Sequence, residues 1–186
     1  MNIINKILYI GIGKNATKEE ILKIWLLNLL VLVPLPIFLF ATVFSVLYNY
    51  PRIVFTNAIF ALVLVCILLL NCSKKYVLAK FVFITSFAWV VLVYYKLMDN
   101  EASMFYYFFP LILCMLLFYD VKKEKAMMTV TAITLFSIIA ATLFLPVAYF
   151  QPWPLSSNLH KLISTTNAIG CTIMIIIYTY NIFKQN

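Results

Sequence analysis

The sequence predicts an all-α membrane protein, a six-helix antiparallel transmembrane bundle with both termini in the cytoplasm. Composition is the first observation: 65% of the 186 residues are hydrophobic and 11% are charged, with a mean hydropathy of +1.02. A soluble domain of this length has too little interior for that much apolar surface. The second is its arrangement in six runs, Ile24–Tyr50, Ile53–Cys72, Val77–Tyr95, Ala102–Tyr119, Ala126–Phe150 and Leu162–Phe183. Each run is long enough to cross ~30 Å of hydrocarbon at ~1.5 Å per residue. The third is charge sorting. With Met1 inside and alternating spans, Lys6, Lys14, Lys18, Lys23, Lys74, Lys75, Lys80, Lys122, Lys123, Lys125 and Lys184 lie inside, against Arg52, Lys96 and Lys161 outside. This positive-inside bias sets the orientation of a multi-pass protein and places both ends of the chain in the cytoplasm.

Residues 1–16 read as a cytoplasmic interfacial segment and 17–186 as the transmembrane domain. Ile3, Ile4, Ile7 and Leu8 fall at helical spacing, and Gly11 and Gly13 break that short helix. Thr17 with Glu20 three residues later spells a capping box, so a helix is expected from Thr17 through Trp25 into the first span. Asn15-Ala16-Thr17 also spells a glycosylation sequon, which a cytoplasmic position leaves without consequence. The first apolar run is longer than a signal-peptide core and is expected to stay as a membrane helix. Pro34 and Pro36 remove backbone donors in its inner half, predicting a kink that serves as a packing feature or as a hinge.

Short connections at Tyr50-Pro51-Arg52, Ser73 to Tyr76 and Asp120 to Lys125 make consecutive spans antiparallel neighbours. The longest connection, Gln151 to Lys161, lies outside. On the sixth span Ser164, Ala168 and Thr172 form a stripe of small residues. Such a stripe lets helices approach closely, within the bundle or in a homodimer.

The same features exclude several chemistries. The net charge of +8 comes from lysines scattered along short turns, which suits anionic headgroups and gives no nucleic-acid footprint. Cys66, Cys72, Cys114 and Cys171 lie in or at the ends of spans, where buried cysteine acts as a small hydrophobe. With a single histidine, His160, no metal site and no cofactor are expected. All six acids lie at span ends or in loops, and Lys80 is close enough to the surface to snorkel. The absence of a mid-membrane charge argues against ion-coupled transporters, pumps and voltage sensors. No nucleophile–base pair or phosphate loop is present, so this chain is not expected to be an enzyme.

The most unusual local feature is Glu101-Ala102-Ser103-Met104-Phe105-Tyr106-Tyr107-Phe108-Phe109-Pro110 at the outer end of the fourth span. Tyr94 and Tyr95 close the third span at that level, with Tyr48, Tyr50, Tyr149, Phe150 and Trp153 nearby in depth. An interfacial aromatic belt accounts for such residues, but a belt occurs at both faces. Here the inner face has only Tyr9, Trp25, Tyr76, Tyr119 and Tyr178. The asymmetry leaves room beside the belt for a second reading, an outward-opening pocket for a lipid-like or aromatic small molecule, with Tyr94, Tyr95, Glu101, Tyr106 and Tyr107 as its ligand-binding residues and Asp99 and Glu101 at its rim.

The opening Ile10-Gly11-Ile12-Gly13, the Thr17–Glu20 patch, Lys23-Ile24 and Asn28 resemble the start of six-helix membrane modules of Bacteroidota-type sensors. The stretch from Glu101 to Pro110, Leu111 to Phe118 and the turn Asp120 to Lys125 is similar to their middle region. In that family such a module precedes a sensor histidine kinase or nucleotide cyclase domain. There the last membrane helix continues into a coiled coil, whereas these residues end at Phe183-Lys184-Gln185-Asn186. The resemblance implies a sensory or anchoring module acting on a cytoplasmic output domain or partner protein. Two other readings stay open: a self-assembling pore or small transporter for neutral solutes, and a structural subunit of a membrane complex. The pore would be lined from Asn28, Asn57, Thr85, Thr131, Thr134, Asn167 and Thr172.

Overall fold

The computed structural model describes residues 3–13, 16–47, 51–97 and 105–146, and every regular element among them is an α-helix. In chain order these are α1 (Ile3–Leu8), α2 (Lys18–Leu32), α3 (Pro34–Leu47), α4 (Pro51–Cys72), α5 (Tyr76–Leu97), α6 (Phe108–Phe118) and α7 (Lys125–Phe144). Four stretches are long and apolar enough to cross a membrane: Lys18–Phe40, Ile53–Cys72, Tyr76–Leu97 and Lys125–Phe144. These describe a multi-pass membrane protein. The sixth apolar run, with Ser164, Ala168 and Thr172, lies outside the described residues.

The start of α2 follows its local code. Thr17 Oγ1 accepts a hydrogen bond from the Glu20 N–H at 3.3 Å, and the Glu20 carboxylate accepts from the Thr17 N–H at 2.8 Å. At the α2–α3 junction the Val33 N–H still reaches the Leu29 carbonyl at 3.0 Å. Pro34 and Pro36 then leave the carbonyls of Leu30 and Leu32 without their usual donors. Val33 keeps right-handed helical angles, φ −68° and ψ −47°. The prolines therefore interrupt the hydrogen-bond ladder without turning the chain out of the span.

Two helices are shorter than the apolar runs that contain them, each because of a proline. α6 begins at Phe108, inside the run Ala102–Tyr119. Pro110 thus falls in the first turn, where a missing N–H costs nothing; deeper in a helix its ring would meet the preceding turn. At 11 residues α6 is about 16 Å long, roughly half a hydrocarbon core. α7 stops at Phe144 because Pro146 disfavours helical angles at Leu145, whose ψ is 133°.

The chain divides into two compact units, residues 1–86 and 87–186. In the first, α3 lies along α4, and α2 packs on both. The α4 side chains Ile53, Asn57, Phe60, Ala61, Leu64, Ile67 and Asn71 are buried, a single helical face. Phe55, Ile59, Leu62, Val65 and Leu69 are exposed on the opposite one. Both faces are largely apolar, because one meets protein and the other suits acyl chains, and the two asparagines lie on the buried one. Cys66 is exposed on that second face, and Cys72 is exposed at the helix end; of the described cysteines only Cys114 is buried as expected. Phe38 of α3 meets Phe60 of α4 edge to face, with centroids 4.5 Å apart.

In the second unit, Leu111, Cys114, Met115 and Phe118 of α6 and Leu135 and Ile138 of α7 are buried with Val91 and Leu92 from the end of α5. The tight turn between α6 and α7 is held by Asp120, whose carboxylate accepts from the N–H groups of Lys122 and Lys123 at 2.9 and 3.2 Å. A 2.9 Å bond between the Tyr119 and Thr131 hydroxyls ties that turn to α7.

Candidate functional site

Two clusters of unusual side chains flank α5, one at each end. At the C-terminal end the predicted aromatic residues come partly together. Tyr95, in the last turns of α5, lies 6.2 Å from Phe105 between ring centroids, and Phe105 lies 5.3 Å from Phe108 in an edge arrangement. Lys96 is buried, at 2% exposure, and its Nζ sits 5.2 Å from the centre of the Tyr95 ring. A cation over a ring face gains about 1 kcal/mol or more when desolvated. Tyr106 is exposed at 52%, Tyr107 half-buried at the start of α6, and Tyr94 half-buried on α5. Glu101 and Asp99 lie outside the described residues. The link through Phe105 and the burial of Lys96 escaped the sequence reading, which treated Lys96 as an outside loop charge. A lysine following two tyrosines at a helix end is the signal that was available.

The second cluster was not predicted as a site. It joins the N-terminal hook, residues 3–13, to Asn28 within α2, the C-terminal end of α4 and the N-terminal end of α5. Asn28 of α2 and Asn71 of α4 are both fully buried. The Asn28 side-chain amide donates to the Leu8 carbonyl and to the Ile10 carbonyl, each at 3.0 Å. Those two acceptors fix its orientation, so Asn28 Oδ1 faces Asn71 and accepts from Asn71 Nδ2 at 2.7 Å. Asn71 must therefore turn its own Oδ1 away, and that atom has no hydrogen-bond donor among the described residues. A buried acceptor left so costs about 1–3 kcal/mol.

The hook closes at Gly11. Its φ is +88°, a conformation that glycine adopts without strain. A Cβ there would overlap the backbone carbonyl of Asn71 and press on the Tyr76 ring. The Tyr76 hydroxyl donates to the Gly11 carbonyl. Gly13, by contrast, has open space around it. The cluster thus reads the hook's backbone: three carbonyls and a missing Cβ are recognised.

Other candidates are placed as follows. Pro34 and Pro36 sit at the helix junction described above. Among the pore-lining candidates Asn28 is spent on the hook, and Thr85, Thr131 and Thr134 donate to the carbonyls of Phe81, Met127 and Val130 one turn earlier. Asn167 and Thr172 lie outside the described residues. Lys80 is buried at 7% exposure, where snorkelling would have left its tip open. A shallow groove of about 680 Å³ runs along one face of α7, past Lys125, Met128, Ala132 and Phe136, away from the predicted tyrosines. No family model, no curated protein and no solved structure matches this chain.

Proposed function

We propose that this chain is a six-span, N-in and C-in sensory or anchoring module of a bacterial inner membrane. In this reading a lipid-like or aromatic molecule binds among Tyr94, Tyr95, Glu101, Tyr106 and Tyr107 at the outer ends of the third and fourth spans. Differential affinity for two packings of the helices then biases a cytoplasmic output domain or partner. The observation that carries the reading is α5 itself. It is one unbroken helix of 22 residues, with a partly open ring cluster at one end and a hydrogen-bonded hook at the other. In this reading a displacement at the ring end is carried along the helix itself. Pro34 and Pro36, at the junction of α2 and α3, are its hinge candidates, and the lysine distribution supports the orientation.

The test uses the full chain in nanodiscs, titrated with p-cresol and with laurate as aromatic and lipid-like probes. At least one should produce a saturable change in hydrogen exchange at residues 105–108 and at 73–76. Tyr106→Ala and Glu101→Gln should weaken that response while leaving folded protein. An unchanged response in both variants would overturn the pocket. Orientation is checked separately in a cysteine-free background. A membrane-impermeant maleimide added to intact cells should label Arg52→Cys and Lys161→Cys, and leave Lys75→Cys and Lys122→Cys unlabelled.

A further inference from the structure

We propose that the α4–α5 turn and the N-terminal hook form one basic cap that binds the headgroups of anionic phospholipids. This does not depend on the ligand reading above. Depth is the first argument. Only Ser73, Lys74 and Lys75 separate two candidate spans, Ile53–Cys72 and Tyr76–Leu97. With a full span on either side, that turn lies at the membrane surface in either orientation. The hook is pinned to the same level by Gly11, which rests on Asn71 and accepts from Tyr76.

The start of α2 stands above that level. Asn28 pairs with Asn71, and Phe38 pairs with Phe60, so the first span runs antiparallel to α4. The residues before Asn28 therefore continue past the end of α4, by about 15 Å between Lys18 and Asn28. The headgroup layer around this end thus includes Lys6, Lys74 and Lys75, all exposed, and the half-exposed Tyr9, while Lys18 stands farther out on α2. The acids of the same stretch are engaged: Glu19 with Lys23 at 2.6 Å, and Glu20 with the Thr17 cap.

Lys74 is the most telling member. The Lys74 N–H bonds to the Asn71 carbonyl and the Lys75 N–H to the Leu70 carbonyl, each at 2.9 Å, the pattern of a helix end closed by a left-handed residue. That residue is Lys74, with φ of 59°. Glycine takes this position without strain, and lysine does not. What lysine adds is a cation at the membrane surface. A juxtamembrane lysine is attracted to anionic headgroups over a distance of about a Debye length. An alternative use of the charge is favourable interaction with the carbonyl end of α4, and that would operate in any lipid.

Lys74→Gly separates the two, because it removes the charge and relieves the strain together. The full chain is reconstituted in nanodiscs of pure phosphatidylcholine, and in discs containing about one-third phosphatidylglycerol in place of it. The proposal expects the wild-type melting temperature to rise with phosphatidylglycerol, and about 0.5 M salt to erase that rise by screening. Lys74→Gly should melt roughly 2–4 °C higher than wild type in pure phosphatidylcholine and gain less from phosphatidylglycerol. Lys75→Gln should also gain less than wild type. Equal gains in all three proteins, no gain in any, or a lower melting temperature of Lys74→Gly in pure phosphatidylcholine would each overturn the cap.

Discussion

The two ends of α5 are built on opposite principles. At the N-terminal end, Tyr76 joins a chain of directional hydrogen bonds in which every partner is a backbone carbonyl or a buried amide. At the C-terminal end, Tyr95 meets Phe105, and Phe105 meets Phe108, through ring contacts, with Lys96 alongside. Directional bonds centred on the fully buried Asn28 and Asn71 restrict the arrangement, because a misplaced donor there leaves a further buried acceptor unpaired. Ring contacts tolerate a spread of distances and tilts at small cost. The hook end is therefore the rigid anchor and the ring end the adaptable one.

The largest expected effect is at Asn28. Asn28→Leu strands the carbonyls of Leu8 and Ile10 and the Asn71 amide together, and should weaken hook closure by about 3 kcal/mol. Loss of hydrogen-exchange protection at the Ile10 and Ile12 amides is the measurement. Retained protection would mean that apolar packing of α1, and not the amide, holds the hook. Gly11→Ala comes next, at about 2 kcal/mol, from a left-handed backbone and a collision with the Asn71 carbonyl. Gly13→Ala should fall within about 0.5 kcal/mol of wild type, since nothing surrounds that position. Melting curves of the pair in one detergent compare them directly, and equal shifts would remove the contact argument.

Tyr76→Phe tests a single hydrogen bond and should cost about 1 kcal/mol. Increased cleavage of the N-terminal segment under limited proteolysis would report it, and an unchanged cleavage rate would show that the hydroxyl contributes little. The smallest effect is expected at the other end. Phe105→Leu keeps the apolar volume and removes two ring contacts, for about 0.5–1 kcal/mol. A cost at Phe105 as large as that at Asn28 would erase the contrast between the two ends.

Much of the architecture was legible because it follows local rules. The Thr17–Glu20 capping box, the break at Gly11, the α2–α3 junction at Pro34 and the long apolar helices were each written in a few adjacent residues. The sites were less legible. Asn28 read as a polar residue available to line a path, whereas it holds the hook. Asn71 drew no notice, because its partner is on another helix. Gly11 was identified as a helix breaker, but its reason lies at Asn71 and at Tyr76, which is 65 positions away in sequence. The tyrosines at Tyr94–Tyr95 and Tyr106–Tyr107 were visible as a cluster, yet Phe105, the residue that connects them to α6, was not singled out.

Taken alone, the sequence determined that the chain is helical, apolar enough for a bilayer and punctuated at its prolines and glycines. Those properties depend on backbone chemistry and on composition over one or two turns. Only the tertiary structure decided which face of each helix is buried, since both faces of α4 are largely apolar and the buried one differs in sequence only by carrying Asn57 and Asn71. Tertiary structure also decided which polar groups are spent and which remain open. A hydrogen bond is a relation between two positions, and here the second position lies on a different helix.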